Sequence, residues 1–198
     1  MRELFEKAEK ATSLSELNGI IASDSTISKT IKEFEHKYPR FDLQIKPQQV
    51  QQLKENRFLN EDHTINLERE AEFTPFEKFL LAVLWKNGQI FRVQPIVDGI
   101  VGIKKSESEF GIIFNQFGRH LADPTEPIVD QHVLRAFCEA TGRKKVPRKT
   151  VFKTSDQKMI DEYRNWFKII LQRITEQEKE EFRYKLDKLL FTIGKQLE

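Results

Sequence analysis

Residues 127–137 read PIVDQHVLRAF, and the fold of this chain can be worked out from this stretch. Two apolar residues precede Asp130, and Val133, Leu134 and Phe137 then recur at the spacing that places side chains on one face of a helix. An acid directly before such a run is the expected N-cap, because its carboxylate accepts hydrogen bonds from the free N–H groups of the first turn. We therefore predict a helix that begins after Asp130, with a half-buried carboxylate at its start.

Apolar residues at helical spacing continue on both sides of this stretch. They run over 159–171 and over 182–193, and Thr175 with Glu178 marks the start of the second of these helices. The short connection between the two helices predicts that they form an antiparallel pair. Toward the N-terminus, residues 3–34 have the pattern of several short helices.

The strongest helix-start signal lies at residues 74–77. Thr74, Pro75 and Glu77 supply an N-cap, a proline at the first helical position and a capping-box acid. The helix over 76–86 that follows is apolar on almost every side, which is typical of a helix buried in a core. We predict that this helix lies at the centre of the fold.

The fold class predicted from these patterns is all-α, as a single multi-helix domain. A chain of 198 residues is long enough for one domain with a sizeable core. An alternating stretch at 41–45 is strand-like, but we interpret it as an extended link because a lone strand has no partner. The domain, 1–198, divides into N-terminal helices with a polar connection over 1–72, an Asp-bearing centre over 73–153, and a C-terminal helix pair over 154–198.

Composition excludes several kinds of protein and site. The one cysteine, Cys138, excludes an intramolecular disulfide and any zinc or iron–sulfur centre built on cysteines. The four histidines show no metal-ligand spacing, so we predict neither a metal nor another cofactor. The first residues lack the apolar region of a signal peptide, and the longest apolar run is too short to cross a bilayer. We expect a cytoplasmic protein that does not enter a membrane.

Positive charge is concentrated near the Asp130 helix, although the whole chain has a net charge of only +2. Residues 85–153 contain twelve Lys and Arg against seven Asp and Glu, whereas the remaining residues contain 21 against 24. Proteins that bind nucleic acid place such residues where they displace counterions from phosphates, so we predict DNA contacts here. A solvated loop between two helices gives the same pattern and remains an alternative. The basic run, 143–153, contains no acid and six basic residues: Arg143, Lys144, Lys145, Arg148, Lys149 and Lys153.

A glycine pair, Gly99 and Gly102, precedes Lys104 and Lys105 between two apolar helical segments. A glycine-bearing turn with exposed N–H groups can approach a phosphate closely, and the lysines add positive charge. A plain turn between two helices needs the same glycines, so both interpretations remain open.

The order of these features resembles that of the helix-hairpin-helix DNA glycosylases of base excision. A core helix, a glycine turn followed by lysine, an apolar helix, an Ile-Val-Asp step at a helix start and a final helix pair follow one another over about a third of the chain. The resemblance implies that Asp130 is the catalytic aspartate and that Gly99 and Gly102 belong to the DNA-binding hairpin. The lysine with which bifunctional members form a Schiff base falls nearest Lys104 or Lys105, and we take Lys104 as the candidate.

Departures from the family pattern argue against a lyase reaction. The family hairpin has one residue between its glycines, whereas two separate them here. The stretch from Lys104 to Asp130 is also longer than usual in the family, and an alignment on residues 117–118 instead places Glu107 at the lysine position. Base release without strand cleavage is therefore the expected activity.

We thus predict a DNA-binding protein that releases a damaged or mismatched base. The alternative is a non-catalytic helical module that binds DNA or another protein, for example in a defence system or a mobile element. Asp130 fits both interpretations, because a capping acid can be purely structural. Trp85 and Phe91 are either core residues or walls of a base pocket, and His132 is expected on the surface.

Overall fold

The computed structural model describes residues 2–38, 40, 43–103, 111–143, 152 and 154–197. Within these ranges the predicted all-α class is confirmed, and β-structure is limited to one bridge between Leu59 and Ile65. Short 3-10 helices lie at Leu67–Glu72, Ile90–Arg92 and Thr154–Asp156. The α-helices are α1 (Arg2–Lys10), α2 (Leu14–Ala22), α3 (Ser25–Lys37), α4 (Pro47–Glu55), α5 (Pro75–Lys86), α6 (Val93–Ile100), α7 (Gly111–Ala122), α8 (Gln131–Ala140), α9 (Gln157–Leu171) and α10 (Glu176–Gln196).

The chain divides into two compact units, one of which is discontinuous in sequence. Unit 1 comprises Met1–Asp42 and Pro124–Glu198, and unit 2 comprises the intervening segment Leu43–Asp123. Helices α1–α3 and α8–α10 therefore belong to unit 1, and α4–α7 belong to unit 2. Asp130, directly before α8, lies in unit 1.

Unit 1 has a core of large side chains from α8, α9 and α10. Leu134 on α8, Tyr163 and Phe167 on α9, and Phe182 and Leu186 on α10 are almost completely buried. Full burial of one such apolar side chain contributes roughly 1.5–3 kcal/mol, so this core fixes the position of α8 strongly. Helices α2 and α3 also pack against α10.

The helix starts predicted from capping residues are confirmed. Thr74 and Glu77 form a complete capping box at the start of α5, with Pro75 at the first helical position. Thr175 lies at the N-cap of α10, although its hydroxyl donates to the Glu178 carboxylate at 3.3 Å instead of accepting from a backbone N–H. Such signals can be read from sequence because a cap involves residues only two or three positions apart.

Helices α6 and α7 of unit 2 form an antiparallel pair at very short range. A Cβ atom at Gly99 would lie 2.0 Å from the carbonyl oxygen of Asn115, and one at Gly118 would lie 1.9 Å from that of Ile96. Only glycine fits at these two positions, because any side chain would meet the backbone of the opposite helix. A small core beside the pair contains Val50, Leu59, Val97, Ile100 and Leu121.

Helix α5 has no buried residue, so the prediction that it is the central helix is wrong. Trp85, Phe76 and Phe79 are 73%, 68% and 63% exposed. The 3-10 helix Ile90–Arg92 packs against α5 without burying any of its side chains. An apolar composition indicates burial only where other elements cover the helix, and the composition alone does not specify those elements. None of the described helices combines the length and apolar character that crossing a membrane requires.

Candidate functional site

Asp130 is the N-cap of α8, as predicted from the sequence. Its backbone is extended, with φ −142° and ψ 179°, and its Oδ1 accepts hydrogen bonds from the N–H groups of His132 at 2.8 Å and Val133 at 2.9 Å. Both bonds use the same oxygen, and the residue is half-buried. The backbone of the first helical turn therefore holds the carboxylate in one orientation.

The segment that leads to Asp130 is tied to α9 through Glu126. The buried Glu126 carboxylate accepts hydrogen bonds from Arg164 Nε at 2.7 Å and Nη2 at 2.8 Å, and from Lys168 Nζ at 2.5 Å. A bidentate pair of this kind is stronger and more directional than a single bond. Because Glu126 lies only four residues before Asp130, this pair restricts the path by which the chain enters α8.

The start of α8 also lies directly against α10. A Cβ at Gly194 would lie 1.8 Å from the carbonyl oxygen of His132, so glycine permits this close approach. The His132 ring packs edge-on against Phe191 with 4.8 Å between ring centroids. Arg135 Nη1 donates to the Gly194 carbonyl at 2.9 Å and lies 3.3 Å from His132 Nδ1. His132 is therefore a half-buried packing residue, and the expectation of a surface position is wrong.

A second acid, Asp187, lies on α10 one turn before Phe191. Its Oδ2 is 3.6 Å from Arg183 Nη1, and its side chain is 13% exposed. Its buried Oδ1 has no hydrogen-bond partner among the described residues, and the same is true of the hydroxyl of Tyr163, which is fully buried on α9. Asp187 on α10 and Tyr163 on α9 are thus two polar residues of unit 1 that each have a buried atom without a hydrogen-bond partner among the described residues.

The pKa values of these three groups are raised. Burial raises the pKa of Asp130, while the Val133 N–H and the nearby His132 oppose the rise. Burial raises the pKa of Asp187 to about 7, with Arg183 opposing and the charge of Asp130 adding to the rise. Burial, followed by the charges of Asp187 and Asp130, raises the pKa of Tyr163 well above its usual value. Two neighbouring acids in different surroundings are a common arrangement in sites that transfer protons or stabilise charge.

The predicted glycine turn lies in unit 2 at the end of α6. Gly99 is within the helix, where it allows contact with α7, and Gly102 follows the helix with a φ of 80°. The Gly102 N–H donates to the Gly99 carbonyl at 3.2 Å, and the Ile103 N–H donates to the Asp98 carbonyl at 2.8 Å. These bonds are the usual ending of a helix and fit the plain-turn interpretation. Phosphate binding by this turn remains a prediction.

Most of the predicted DNA-binding side chains lie outside the described residues. Arg143 is described: its guanidinium lies 5.3 Å from the ring centroid of Phe137, and it forms an ion pair with Glu162. Arg143 therefore belongs to unit 1 and contacts α8 and α9. The residues outside the described ranges are Lys104, Lys105, Lys144, Lys145, Arg148, Lys149 and Lys153.

Unit 2 contains a buried His–Asp pair that the sequence interpretation did not identify. His63 Nδ1 lies 2.5 Å from Asp98 Oδ1, and the side chains are 7% and 2% exposed. His63 has a φ of 69°, a conformation that residues other than glycine seldom adopt. Because Asp98 directly precedes Gly99 in α6, the pair fastens the loop around His63 to the α6–α7 hairpin.

The aromatic residues considered for a base pocket are exposed in the described structure. Trp85 at the end of α5 and Phe91 in the following 3-10 helix are 73% and 55% exposed, so the interpretation of both as core residues is wrong. Their role as pocket walls remains a prediction. Among the described residues, no cluster of three or more His, Cys, Asp and Glu side chains is arranged to hold a metal ion.

Comparison with protein-family models, with curated proteins and with solved structures gives no match for this chain. The functional interpretation therefore rests on the residues around Asp130 and on the order of motifs in the sequence. Asp187 was missed because an acid four residues after an arginine on a highly charged helix is typical of a surface pair, and Tyr163 was missed because it belongs to a stripe that otherwise consists mostly of apolar residues. The one available signal was the Arg183–Asp187 pair, whose spacing of four places both residues on the same face of α10.

Proposed function

We propose that this chain binds DNA and releases a damaged or mismatched base, with Asp130 as the carboxylate beside the reacting sugar. The observation that carries this proposal is the geometry of Asp130, whose carboxylate is fixed by two backbone N–H groups at a half-buried helix start. A preorganised charge in a poorly solvated position stabilises an opposite charge more strongly than one in water does. The order of motifs shared with helix-hairpin-helix glycosylases supports the same role.

In the proposed reaction, the target nucleotide is first turned out of the duplex. The bond between the sugar C1′ and the base nitrogen then breaks, and the base leaves with the bonding electrons. The Asp130 carboxylate stabilises the positive charge that develops on the sugar, a water molecule adds to C1′, and the proton that this water loses is taken up by the departing base. Hydrolysis of this kind needs no lysine nucleophile, so the proposal is base release without strand cleavage.

In this proposal, the basic residues and the glycine turn bind the DNA duplex. Lys144, Lys145, Arg148 and Lys149 contact phosphates, and Arg143, next to α8 and α9, begins the same run. Lys105 and the turn at Gly102 form a second set of contacts on the DNA backbone. Contacts to phosphates give binding that is independent of sequence and weakens steeply with salt.

Base release by the parent chain and two Asp-to-Asn variants tests the catalytic role. Asp130→Asn keeps the size of the side chain and most of its capping, since Asn is nearly as good an N-cap as Asp. We expect base release from damaged or mismatched duplexes to fall by about 100-fold or more, because a charge at the transition state is lost. The matched control is Asp24→Asn, which changes the N-cap of α3 in the same unit. Undiminished release by Asp130→Asn would end the catalytic assignment.

Salt dependence of DNA binding tests the proposed contacts. Neutralising Lys144, Lys145 and Lys149 together should flatten the slope of log affinity against log salt by about 0.9 for each phosphate that the variant no longer neutralises. A control triple variant at Lys7, Lys10 and Lys29, far away in sequence, should leave the slope unchanged. A parent chain without measurable affinity for duplex DNA would overturn the DNA proposal as a whole.

A second candidate function, a protein-interaction module, is favoured by the exposure of α5. Its exposed rings, together with Leu80 and Val83, present several hundred Å² of apolar surface, since one aromatic side chain has about 150–250 Å². A patch of this size approaches the roughly 800 Å² per partner of a standard interface. The occupant we propose is α5 of a second copy, placed antiparallel. Glu68 and Glu70 precede α5 and Lys86 ends it, while Glu72 is paired with Arg69, so the antiparallel arrangement brings two acids toward the lysine of the other copy.

Sedimentation analysis of the whole chain tests this second candidate. The parent should form a dimer whose fraction rises with concentration, and Phe79→Glu in the middle of α5 should abolish it. Ile169→Glu on α9 is the matched control, because Ile169 is an exposed apolar residue of unit 1. A parent chain that is still a monomer at about 100 μM would exclude pairing through α5. A dissociation constant of that size corresponds to a binding free energy of only about 5–6 kcal/mol.

A further inference from the structure

We infer that Ile128 is a substrate contact of the proposed site: its exposed side chain packs on the ring of the extruded base, while Asp130 lies at the sugar of the same nucleotide. Because it concerns the nucleotide on which Asp130 acts, this inference rests on the proposed function. Ile128 takes no part in breaking the bond to the base. Its role is to hold the base in the site by apolar contact.

The segment that leads into α8 presents Ile128 and Asp130 on the same side. Residues 127–130 belong to no helix, and Asp130 has an extended backbone with φ −142° and ψ 179°. Along this segment Pro127 is buried, Ile128 is exposed, Val129 is buried and Asp130 is half-buried. In an extended chain successive side chains point to opposite sides, which is the alternation seen here. Pro127 and Val129 therefore point into the protein, and Ile128 and Asp130 point outward.

The segment is held at both ends, so the backbone of Ile128 has a fixed position. At one end, the buried Glu126 carboxylate accepts two hydrogen bonds from the Arg164 guanidinium, at 2.7 and 2.8 Å. At the other end, Asp130 Oδ1 accepts two hydrogen bonds from the first turn of α8. Val129, between these two ends, is 2% exposed. A side chain on a backbone held in this way needs little ordering before it contacts a ligand, and this lowers the cost of binding.

Ile128 differs in its setting from the other large apolar side chains that are exposed in unit 1. Among the described residues of this unit, those others are Tyr38 and Ile169. The Tyr38 ring packs on Phe34 with 4.6 Å between ring centroids, and Ile169 lies within the regular helix α9. A single exposed apolar side chain is ordinary on a protein surface. What sets Ile128 apart is that it lies on a fixed segment, on the same side as the fixed carboxylate of Asp130.

The separation of the two side chains suits one nucleoside. Residues that are two apart in an extended chain have Cα atoms about 6–7 Å apart. A carboxylate at one end of this span stabilises the charge on the sugar, and an aliphatic side chain at the other end packs on the flat face of the base. Contacts to phosphates do not depend on which base is present. Ile128 therefore gives the site a contact that requires a base ring.

Carbon-13 methyl NMR of the whole parent chain tests this contact without any need for activity. The first probe is a duplex with one G·T mismatch, because a mismatched base costs little to extrude. The second probe is the same duplex with a tetrahydrofuran abasic analogue in place of the mismatched thymine. We expect the ring current of the base to move the Ile128 δ1 methyl resonance upfield with the first duplex and not with the second. The Ile169 resonance should not move with either duplex, and Ile128→Leu identifies the Ile128 resonance by removing it.

The outcomes of this titration separate the inference from the proposed function. A parent chain that binds both duplexes while the Ile128 resonance stays in place would overturn the inference and leave the proposed function intact. Equal shifts with both duplexes would also overturn it, because the contact would then be with the DNA backbone. The expected shift, together with undiminished base release by Asp130→Asn, would support the contact and overturn the catalytic role of Asp130. A parent without affinity for either duplex would overturn the inference together with the proposed DNA binding.

The kinetics of base release give a second readout. Ile128→Ser should raise KM about tenfold and leave kcat within about threefold, because the lost contact is present both before and during bond breakage. Ile128→Leu keeps the apolar volume and should stay within about threefold of the parent in both constants. Ile169→Ser is the matched control on α9 and should change neither constant. A KM that is unchanged in Ile128→Ser would overturn the inference, whatever the effect of Asp130→Asn.

Discussion

Helices α5 and α10 make opposite use of their apolar residues. Helix α5, PFEKFLLAVLWK, has three charged residues among twelve and buries none of its side chains. Helix α10 has ten charged residues among 21 and nevertheless contributes eight buried residues to unit 1. The amount of apolar surface on a helix therefore does not decide how deeply the helix is buried.

The arrangement of the apolar residues explains the difference between the two helices. In α10, the buried residues Phe182, Leu186, Leu189 and Ile193 recur every three or four positions, and most charged residues occupy the opposite side. Such a stripe defines one face that other helices can cover. In α5 the apolar residues surround the helix, so no single packing arrangement is specified. A strong pattern predicts burial better than a high apolar content does.

The largest expected effect comes from truncating one leucine in each helix. Leu186→Ala in α10 should lower the free energy of unfolding by about 2–5 kcal/mol, because the fully buried side chain leaves a cavity. Leu80→Ala in α5 should change it by less than about 0.5 kcal/mol, because the side chain is 46% exposed. Urea unfolding measures the free energy of unfolding of both variants. The fluorescence of Trp166 follows unit 1, and that of Trp85 follows unit 2. Equal losses in the two variants would remove the contrast between α5 and α10.

The Asp187 carboxyl of α10 should make the stability of unit 1 depend on pH. Burial raises the pKa of Asp187 to about 7, so the folded chain keeps a proton that the unfolded chain releases near its usual pKa of about 4. This proton contributes on the order of 2–4 kcal/mol to the free energy of unfolding. The contribution is fully present below about pH 4 and is lost as the pH rises through about 7. In Asp187→Asn the loss should be smaller, since only the raised pKa of Asp130 still contributes. Urea unfolding at several pH values measures the difference, and parallel curves for parent and variant would contradict it.

The stability of unit 2 should depend on the close contact between α6 and α7 rather than on α5. Gly99→Ala places a methyl group 2.0 Å from the Asn115 carbonyl oxygen, and we expect a loss of about 1–3 kcal/mol as the helices move apart. Gly19→Ala in α2 is the matched control, because no atom lies within 4 Å of the added methyl group. Alanine is the better helix former, so this control should gain about 0.5–1 kcal/mol. A Gly99→Ala chain as stable as the parent would show that the crossing is not tight.

The smallest expected effects concern the caps of α8 and α5. Asp130→Ala should lower stability by about 1 kcal/mol, because two N–H groups lose their acceptor. Thr74→Ala in α5 removes a capping box on an exposed helix and should lower it by about 0.5–1 kcal/mol. Thermal unfolding is measured for each alanine variant and for the variant that keeps a capping side chain, Asp130→Asn or Thr74→Ser. The comparison separates the loss of capping from other effects. A much larger loss for Asp130→Ala than for Thr74→Ala would indicate that Asp130 also organises the groups around Asp187.

Local features of the fold were predictable from sequence, and features that depend on distant partners were not. The helix start at Asp130 and the capping box at Thr74 were correctly predicted because each is determined by residues within one turn. The burial of α5 was wrongly predicted because it depends on elements far away in sequence. His63 was overlooked because its partner Asp98 lies 35 residues away, and nothing in the polar stretch around His63 indicates that pairing.

The same reasoning applies to the candidate site. Asp130 could be identified because an acid between an apolar approach and a helix stands out in the sequence. Asp187 could not, because an acid four residues after an arginine on a charged helix is usually a surface pair. Its low exposure of 13% depends on the packing of other helices against α10, which the sequence around Asp187 does not specify. The chemistry that distinguishes the two acids is thus a product of tertiary packing.

The split of unit 1 along the chain has a consequence for its synthesis on the ribosome. Unit 2 is complete as soon as Asp123 has emerged, and it can fold while the rest of the chain is still being made. Helices α1–α3 emerge before unit 2, whereas α8–α10, against which Phe5 and Leu17 are buried, emerge after it. Synthesis proceeds at about 5–20 residues per second, so the apolar faces of α1–α3 remain uncovered for on the order of ten seconds. Nascent chains should therefore bind chaperones through α1–α3, and this binding should end when α8–α10 have emerged.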